Sequence, residues 1–557
     1  MTTGPPPLAP PPLAPGEARP FGDAAVLVGA AGPDRARALA AVARDAELPG
    51  VTDVVGGLAS VVVRVDPLLA DPEELAGVLS SLEPAAHAAV EPHTVTVPVA
   101  FDGTDLAVVA EAVGLTPRRV VELLLGAELV VAVVGFSPGF AYLEGLPEPL
   151  RRVARREVPR PVVPAGSLAL AGGFAAFYPQ ATPGGWQLVG RTALSMFDPD
   201  RPPYARLAPG DRVRLEEVPA PLAEPAAARR GPPLRRPWRR PGRAVVVEAP
   251  GLLTTVQDRG RPGLAHLGVP GAGPADPVAH RLGNLLVGND ADAATLEVNG
   301  LGPSLRFHRP AHLAVTGGQP PVRLDDLLVP CDRVVPVAAG QCLVVGATTT
   351  GGRAYVAVAG GFVVPRVLGS CATDTLAWIG PGSLVVGDEL GVGPAAHPLG
   401  DHLADGDAGP RGTDRVLRVV PGPHAGWFAA DLLDDLAARR FTVEASSDRI
   451  GVNLVADDGA PLERVPGELL SQGMVHGAVQ VPPAGKPVVL LVDHATLGGY
   501  PVAAVVVSAD VGVLGQCRGG DAVVFEPVTS EEARRARQRL EQRVATAVVG
   551  HYPVVPG

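Results

Sequence analysis

The sequence predicts a β-rich α+β fold in which a small α/β domain precedes three related β-barrels. Composition is the first support. The 557 residues include 68 glycines and 62 prolines, yet 46% are hydrophobic and only 4% aromatic. Such a chain has many turns joining short strands, with Val, Leu and Ala filling the cores. Long-helix and coiled-coil folds are excluded. Repetition is the second support. Val163-Pro164-Ala165-Gly166, Pro183-Gly184-Gly185-Trp186 and Pro209-Gly210-Asp211-Arg212-Val213 succeed one another in one stretch. Pro483-Ala484-Gly485, Leu497-Gly498-Gly499-Tyr500 and Gly519-Gly520-Asp521-Ala522-Val523 repeat that order near the C-terminus. A weaker copy has Ala339-Gly340, Thr350-Gly351-Gly352 and Val386-Gly387-Asp388. Gly-Asp before alternating apolar residues is a turn feeding a half-buried strand. Gly-Gly beside an aromatic marks close backbone approach, and barrel closure removes exposed edges.

Residues 1–20, with the run TTGPPPLAPPPLAP, read as a disordered proline-rich tail without the charged start and apolar core of a signal peptide. Residues 21–91 form the small α/β domain. There, 24–28 and 60–65 read as strands, 34–47 as an alanine-rich helix capped by Asp34, and 72–81 as a second helix. The first barrel, 92–218, holds one helix at 116–125, opened by the Thr116 cap and first-turn Pro117. Residues 219–243 are a linker with seven arginines and one glutamate, a solvated tether or a site for an acidic partner or nucleic acid. Two more barrels follow at 244–400 and 414–527, separated by the Asp- and Gly-rich break 401–413. Residues 528–557 hold a charged helix at 530–545, with Ser530, Glu531 and Glu532 placed for capping, and a tail.

The net charge of −11 argues against an electrostatic nucleic-acid footprint. Lys486 is the only lysine. Pro487 follows it, so there is no G-x-x-x-x-G-K-[ST] phosphate loop, and it does not lie between methionines as a biotinylated lysine would. Any phosphate must be held by arginine, backbone N–H groups or a metal. Cys331, Cys342, Cys371 and Cys517 form no C-x-x-C pair, against structural zinc and a disulfide framework. His308 and His312 have Pro310 between them, so a helical ligand pair fails and no metal site is expected. The longest charge-free stretch, 161–190, is broken by Pro161, Pro164, Pro179 and Pro183 before a membrane helix accumulates. A soluble, cytoplasmic protein is expected.

Four loops are candidates for chemistry. Gly135-Phe136-Ser137-Pro138-Gly139-Phe140 is an anion nest or a tight turn stapled by two phenylalanines. It is not the G-x-S-x-G elbow, because proline follows the serine. Thr254-Thr255-Val256-Gln257-Asp258-Arg259-Gly260-Arg261 holds a carboxylate or phosphate bidentately, or is a loop fixed by its own Asp–Arg bridge. Ser446-Ser447-Asp448-Arg449-Ile450-Gly451 repeats that theme. Asp493-His494-Ala495-Thr496-Leu497-Gly498-Gly499-Tyr500 ends a buried strand, as a site or as a capped strand end.

Longer motifs tie these loops to a family. GFSPGFAYLEGLP, VPAGSLALAGG, YPQATPGGWQLVGRT and PGDRVRL make residues 21–218 resemble the B subunit of bacterial ATP-dependent 5-oxoprolinase. PGLLTTVQDRGRPGLAHLGVPGAG, LRVVPGPHAGWF, SSDRIG, GAVQVPPAGKPVVLLVDHATLGGYP and SADVGVL make residues 244–527 resemble its C subunit. This allophanate hydrolase subunit 1/2 family also resembles the carboxyltransferase part of urea carboxylase, and a sporulation-kinase inhibitor with its antagonist. The resemblance implies cyclophilin-like barrels, one in the first half and two in the second, and a cleft between the halves. It implies a hydrolase component that uses ATP, with Mg2+ and no covalently attached biotin, to open 5-oxo-L-proline to L-glutamate. Its implied partners are a separate A-type subunit and a small amide substrate, without nucleic acid or membrane; homo-oligomer formation stays open. The alternatives are a carboxyltransferase receiving carboxybiotin from another chain and a non-enzymatic regulator that binds a histidine kinase.

Both enzymatic readings develop negative charge on oxygen, so fixed donors should dominate. On the motif positions, Arg259 and Arg449 are the expected charge stabilisers, and Asp258, Asp448 and Asp493 the expected bases or metal ligands. Expected substrate or ATP contacts are Gly135, Ser137, Gly139, Tyr142, Gly184, Gly185, Trp186 and Arg191 from the first half. Gln257, Gln480, Lys486, Thr496, Gly498, Gly499 and Tyr500 are those from the second. Several positions depart from the family pattern. Leu124 and Leu129 stand for a histidine and a tyrosine, Phe174-Ala175 for Gln-Thr, and Ala495 for a glutamine. Ser471-Gln472-Gly473 replaces Ser-Glu-Gly, and Cys371-Ala372 an Arg-Ser pair. Altered substrate choice or weakened activity is the implied consequence.

Overall fold

The computed structural model describes residues 10–82, 92–220, 244–404, 414–467 and 469–550. Most of the expected linkers at 219–243 and 401–413, the first nine residues and the last seven lie outside these.

The N-terminal domain is a four-stranded sheet in the order Ala18–Pro20, Ala25–Gly29, Ser60–Val65, Val51–Gly56. Helices Pro33–Asp45 and Pro72–Ser80 cover it, burying Ala36, Leu39, Ala40 and Ala43 at helical spacing against Val26, Val28, Val61 and Val63. Two expectations are corrected here. Residues 18–20 form the edge strand rather than part of a disordered tail, and an edge tolerates Pro20, which has no N–H to donate. Asp34 does not cap its helix; Gly32 holds that position, and Asp34 pairs with Arg37 at 2.8 Å.

In the first barrel seven strands run from Gln187–Arg191 at one end of the sheet to Thr94–Val99 at the other. Ala100 and Arg191 exchange both backbone hydrogen bonds at 2.9 Å, which joins the two outer strands. Helix Pro117–Leu125 opens with the Thr116 hydroxyl accepting from the Arg119 N–H. The third barrel closes fully through seven strands from Asp414–Pro421 to Ala522–Pro527. In both, the last strand lies parallel to the first and follows a Gly-Asp turn. Gly210 and Gly520 take φ of 98° and 89°, a region that favours glycine.

The middle module departs from the expected single barrel. Its strands divide into a seven-stranded and a five-stranded sheet around one core that includes Val245, Leu296, Leu305, Leu343 and Val356. Its last long strand, Glu389–Val392, pairs antiparallel with Val245–Ala249, so the parallel closure of the other two is not reproduced.

Helix Ser530–Thr546 carries a capping box made by Thr529 and Glu532, one residue earlier than Ser530 suggested. It buries Ala533, Ala536, Leu540 and Val544 in a core shared with Leu27, Leu282 and Val505, so it ties together the N-terminal domain, the middle module and the third barrel. Among the described residues no helix is long and apolar enough to cross a membrane.

The third barrel also buries uncharged histidines, and the N-terminal domain covers part of them. His424 meets Phe21 edge-on at 6.4 Å and accepts from the Val502 N–H at 3.0 Å; burial pushes it down to about 4. Burial, with Arg64 nearby, pushes His476 to about 4 and His494 to about 3. The unfolded chain takes up protons near the ordinary value of 6.5, whereas these folded sites resist until pH 4 or below. Stability therefore falls as pH drops through that window. Thermal melts across it should show a falling Tm, with a shallower slope for His476→Gln; equal slopes for both proteins would contradict the assignment.

Candidate active-site cleft

Where the first barrel meets the third, a cleft of about 570 Å³ opens. Corresponding turns supply its walls. The first barrel contributes Tyr142, Gly184, Gly185 and Trp186; the third contributes Gln480, Gly498, Gly499 and Tyr500. The motifs PGGW and LGGY thus line one cavity from opposite halves. Phe140 meets Tyr142, Tyr178 and Trp186 edge-on, at 5.1, 5.2 and 5.8 Å, which makes the aromatic wall a fixed unit. A Cβ on Gly184 would overlap the Tyr178 hydroxyl, so glycine is what lets the chain pass over this wall.

Burial raises both phenols. Tyr178 is pushed up to about 12, with Tyr142 adding to the effect, and Tyr142 rises despite its hydrogen bond to Ser471. Both are protonated donors at neutral pH. Phe174 stands edge-on to Tyr142 at 6.1 Å, and Ala495 lines the cleft directly. Leu124 and Leu129 are buried in the first barrel's core.

The remaining expected residues lie elsewhere. The Gly135 N–H donates to the Phe140 carbonyl at 3.0 Å and the Gly139 N–H to the Leu267 carbonyl at 2.9 Å. A Cβ on Gly135 would overlap Leu497. The turn expected as an open nest is a packing joint between halves. Ser137 and Thr496 are buried with unpartnered hydroxyl oxygens. Arg259 is exposed and outside the cleft lining. Arg191 pairs with Asp102 at 2.6 Å, and Lys486 with Glu444 at 3.2 Å. Gln257 donates to Thr255 Oγ1 at 2.9 Å and the Thr373 carbonyl at 2.8 Å. Asp258 accepts from the N–H groups of Gly260 and Cys371, and Asp448 from those of Ile450 and Gly451. Asp448 fixes its own loop, whereas Asp258 ties its loop to residues 370 and 371.

Arg449 and Asp493 form a buried bracket instead. The guanidinium grips Asp493 with Nε at 2.8 Å and Nη2 at 3.0 Å, donates to Glu297 through Nη1, and reaches the Gly273 carbonyl at 2.7 Å. Burial works against its charge, but Asp493 and Glu297 outweigh it and raise the guanidinium's proton affinity. Glu297 is held below the usual carboxylate range by Arg449 and Arg353, against its own burial. Asp493 also accepts from the Thr375 N–H and hydroxyl at 2.7 and 2.9 Å, so it is not a free base.

Residues missed by sequence reasoning complete the cleft: Arg155, Arg156, Glu157, Tyr178, Arg464 and Ser471. The charge run RRVARRE at 151–157, beside a barrel turn, was the available signal for the first three.

The two walls fall in two matched segments. Residues 17–207 match the carboxyltransferase domain, subdomain C and D, and residues 267–527 match the carboxyltransferase domain, subdomain A and B. The C subunit of 5-oxoprolinase from Haemophilus influenzae is 36% identical over 290 residues, 52% of this chain and 92% of that protein. The chain belongs to the family of the 5-oxoprolinase B and C subunits. The B subunit from Escherichia coli is 43% identical over 179 residues, 30% of this chain and 79% of that protein. Urea amidolyase of Saccharomyces cerevisiae is 30% identical over 320 residues, which cover 53% of this chain and 17% of that protein. The crystal structure of TTHA0988 is 35% identical with a TM-score of 0.80, covering 90% of this chain and 99% of that one. The chain is a fusion of B-like and C-like modules related to urea carboxylase.

The bracket predicts unequal arginine variants. Arg449→Ala should cost about 3–5 kcal/mol, because Asp493 stays buried without its counter-ion and Glu297 keeps only Arg353, at 3.7 Å. Arg259→Ala, at an exposed position, should stay within about 0.5 kcal/mol. Denaturant midpoints check both, and similar small losses would refute the bracket.

Proposed function

We propose that this chain is the B/C component of an ATP-dependent 5-oxoprolinase and that its cleft activates the cyclic amide. One observation carries the reading: the cleft lies where the B-like and C-like halves meet, and each half supplies one glycine–aromatic wall. In the proposed reaction the ring amide oxygen of 5-oxo-L-proline takes the terminal phosphoryl group of ATP, releasing ADP. Water then attacks the activated carbon, phosphate leaves, and the ring opens to L-glutamate. The enzyme is complete only with a separate A-type subunit. Protonated Tyr142 and the Gln480 amide offer donors to the substrate beside an apolar wall, where electrostatic interactions are strengthened. The carboxyltransferase match favours a second reading, carboxyl transfer from carboxybiotin on another chain.

The test is ATP hydrolysis that depends on both 5-oxoproline and an added A-type subunit. Gln480→Ala and Tyr142→Phe should each lower turnover about 10–100-fold without unfolding the chain. A well-folded pair that hydrolyses no ATP in response to 5-oxoproline would remove the first reading.

A further inference from the structure

The cleft carries positive charge that the proposed reaction leaves unassigned. Arg155, Arg156 and Arg464 line it, and Glu157 is the single carboxylate among its described lining residues. Among the described residues no carboxylate pairs with Arg464. Its Nη1 donates to the carbonyls of Val465 and Gly467 at 3.2 Å, its guanidinium lies 5.8 Å from the centre of the Trp427 ring, and its buried Nε has no partner. Arg156, on the opposite half, shares its counter-ion with other donors. Its Nη1 reaches Asp105 at 3.5 Å, but that carboxylate is taken more closely by Arg160 at 2.6 Å and the Leu188 N–H at 2.7 Å. Its Nε is likewise buried and unpartnered.

A buried donor without a partner is destabilising, because its lost hydration is not repaid. Both guanidinium groups line one cavity, and the protein leaves the hydrogen-bonding capacity of each unfilled. The guanidinium fork matches carboxylate and phosphate oxygens alike. Arg156 and Arg464 come from different modules, so one anion held by both would also join the two cleft walls.

We propose that Arg156 and Arg464 form an oxyanion subsite of the cleft, holding the carboxylate or phosphate of a ligand whose uncharged part lies against the aromatic wall. The proposal rests on the cleft being the ligand site of the proposed function. A carboxylate from the cyclic amide and a phosphate from a nucleotide share the recognising chemistry, so the experiment separates them.

The full-length chain, without any A-type subunit, is titrated by calorimetry with 5-oxoproline, with 2-pyrrolidinone (the same ring without its carboxylate), with inorganic phosphate and with ATP. The wild type should bind at least one of the anions, and Arg464→Gln and Arg156→Gln should each weaken that binding about tenfold or more. Arg464→Lys should retain part of it, 2-pyrrolidinone should be unaffected, and unchanged melting curves show that the variants fold. Loss for 5-oxoproline alone assigns the carboxylate; loss for phosphate and ATP alone assigns the phosphate. Anion binding that is absent in the wild type, unchanged in both variants, or lost in parallel with 2-pyrrolidinone overturns the subsite. These outcomes are independent of ATP turnover with the A-type subunit, so the reaction and the subsite fail separately.

Discussion

The buried charge of Arg449 fixes how the modules sit on one another. Alone, a guanidinium at that depth would be intolerable; it persists because Asp493 from its own barrel and Glu297 from the middle module meet it together. Glu297 is itself fixed by the Tyr355 hydroxyl at 2.7 Å and the Ala275 N–H at 2.9 Å. The charges are compensated only in one docking of the third barrel on the middle module. Asp493 also begins the segment that continues into Leu497-Gly498-Gly499-Tyr500. The bracket that orients two modules therefore anchors the root of one cleft wall.

The opposite wall is built by packing rather than by charge. Phe140 gathers Tyr142, Tyr178 and Trp186 around itself, and the neighbouring turn at Gly135 admits Leu497 from the other half. One side of the cleft is pinned by a buried ion network and the other by interlocked rings. The arginines lie against this rigid, largely apolar frame. A charged ligand would meet fixed donors that require little reorganisation.

Local chemistry was legible in the sequence where the causes are local. The strand Ser60–Val65, the Thr116 cap and the echoing glycine turns declare themselves within a few residues, and two of those echoes became the cleft walls. Long-range pairing was not legible. Asp258-Arg259 and Asp448-Arg449 look alike in sequence, yet one arginine is exposed and the other meets a glutamate 152 residues away. Gly387-Asp388 announces a closing strand as its counterparts do, but the direction in which that strand pairs is decided by distant partners. Arg155, Arg156 and Arg464 read as ordinary surface charge until the fold brings them to one cavity.

The B-like and C-like walls belong to a single polypeptide, and this alters how the cleft comes into being. When two such halves are separate molecules, a site at their contact is populated according to their concentrations and affinity. Here each wall carries its partner along by covalent connection, so assembly is intramolecular and governed by an effective concentration that dilution does not change. Equal stoichiometry of the two halves is set by translation of one message, and neither half accumulates as an orphan with its seam exposed to solvent.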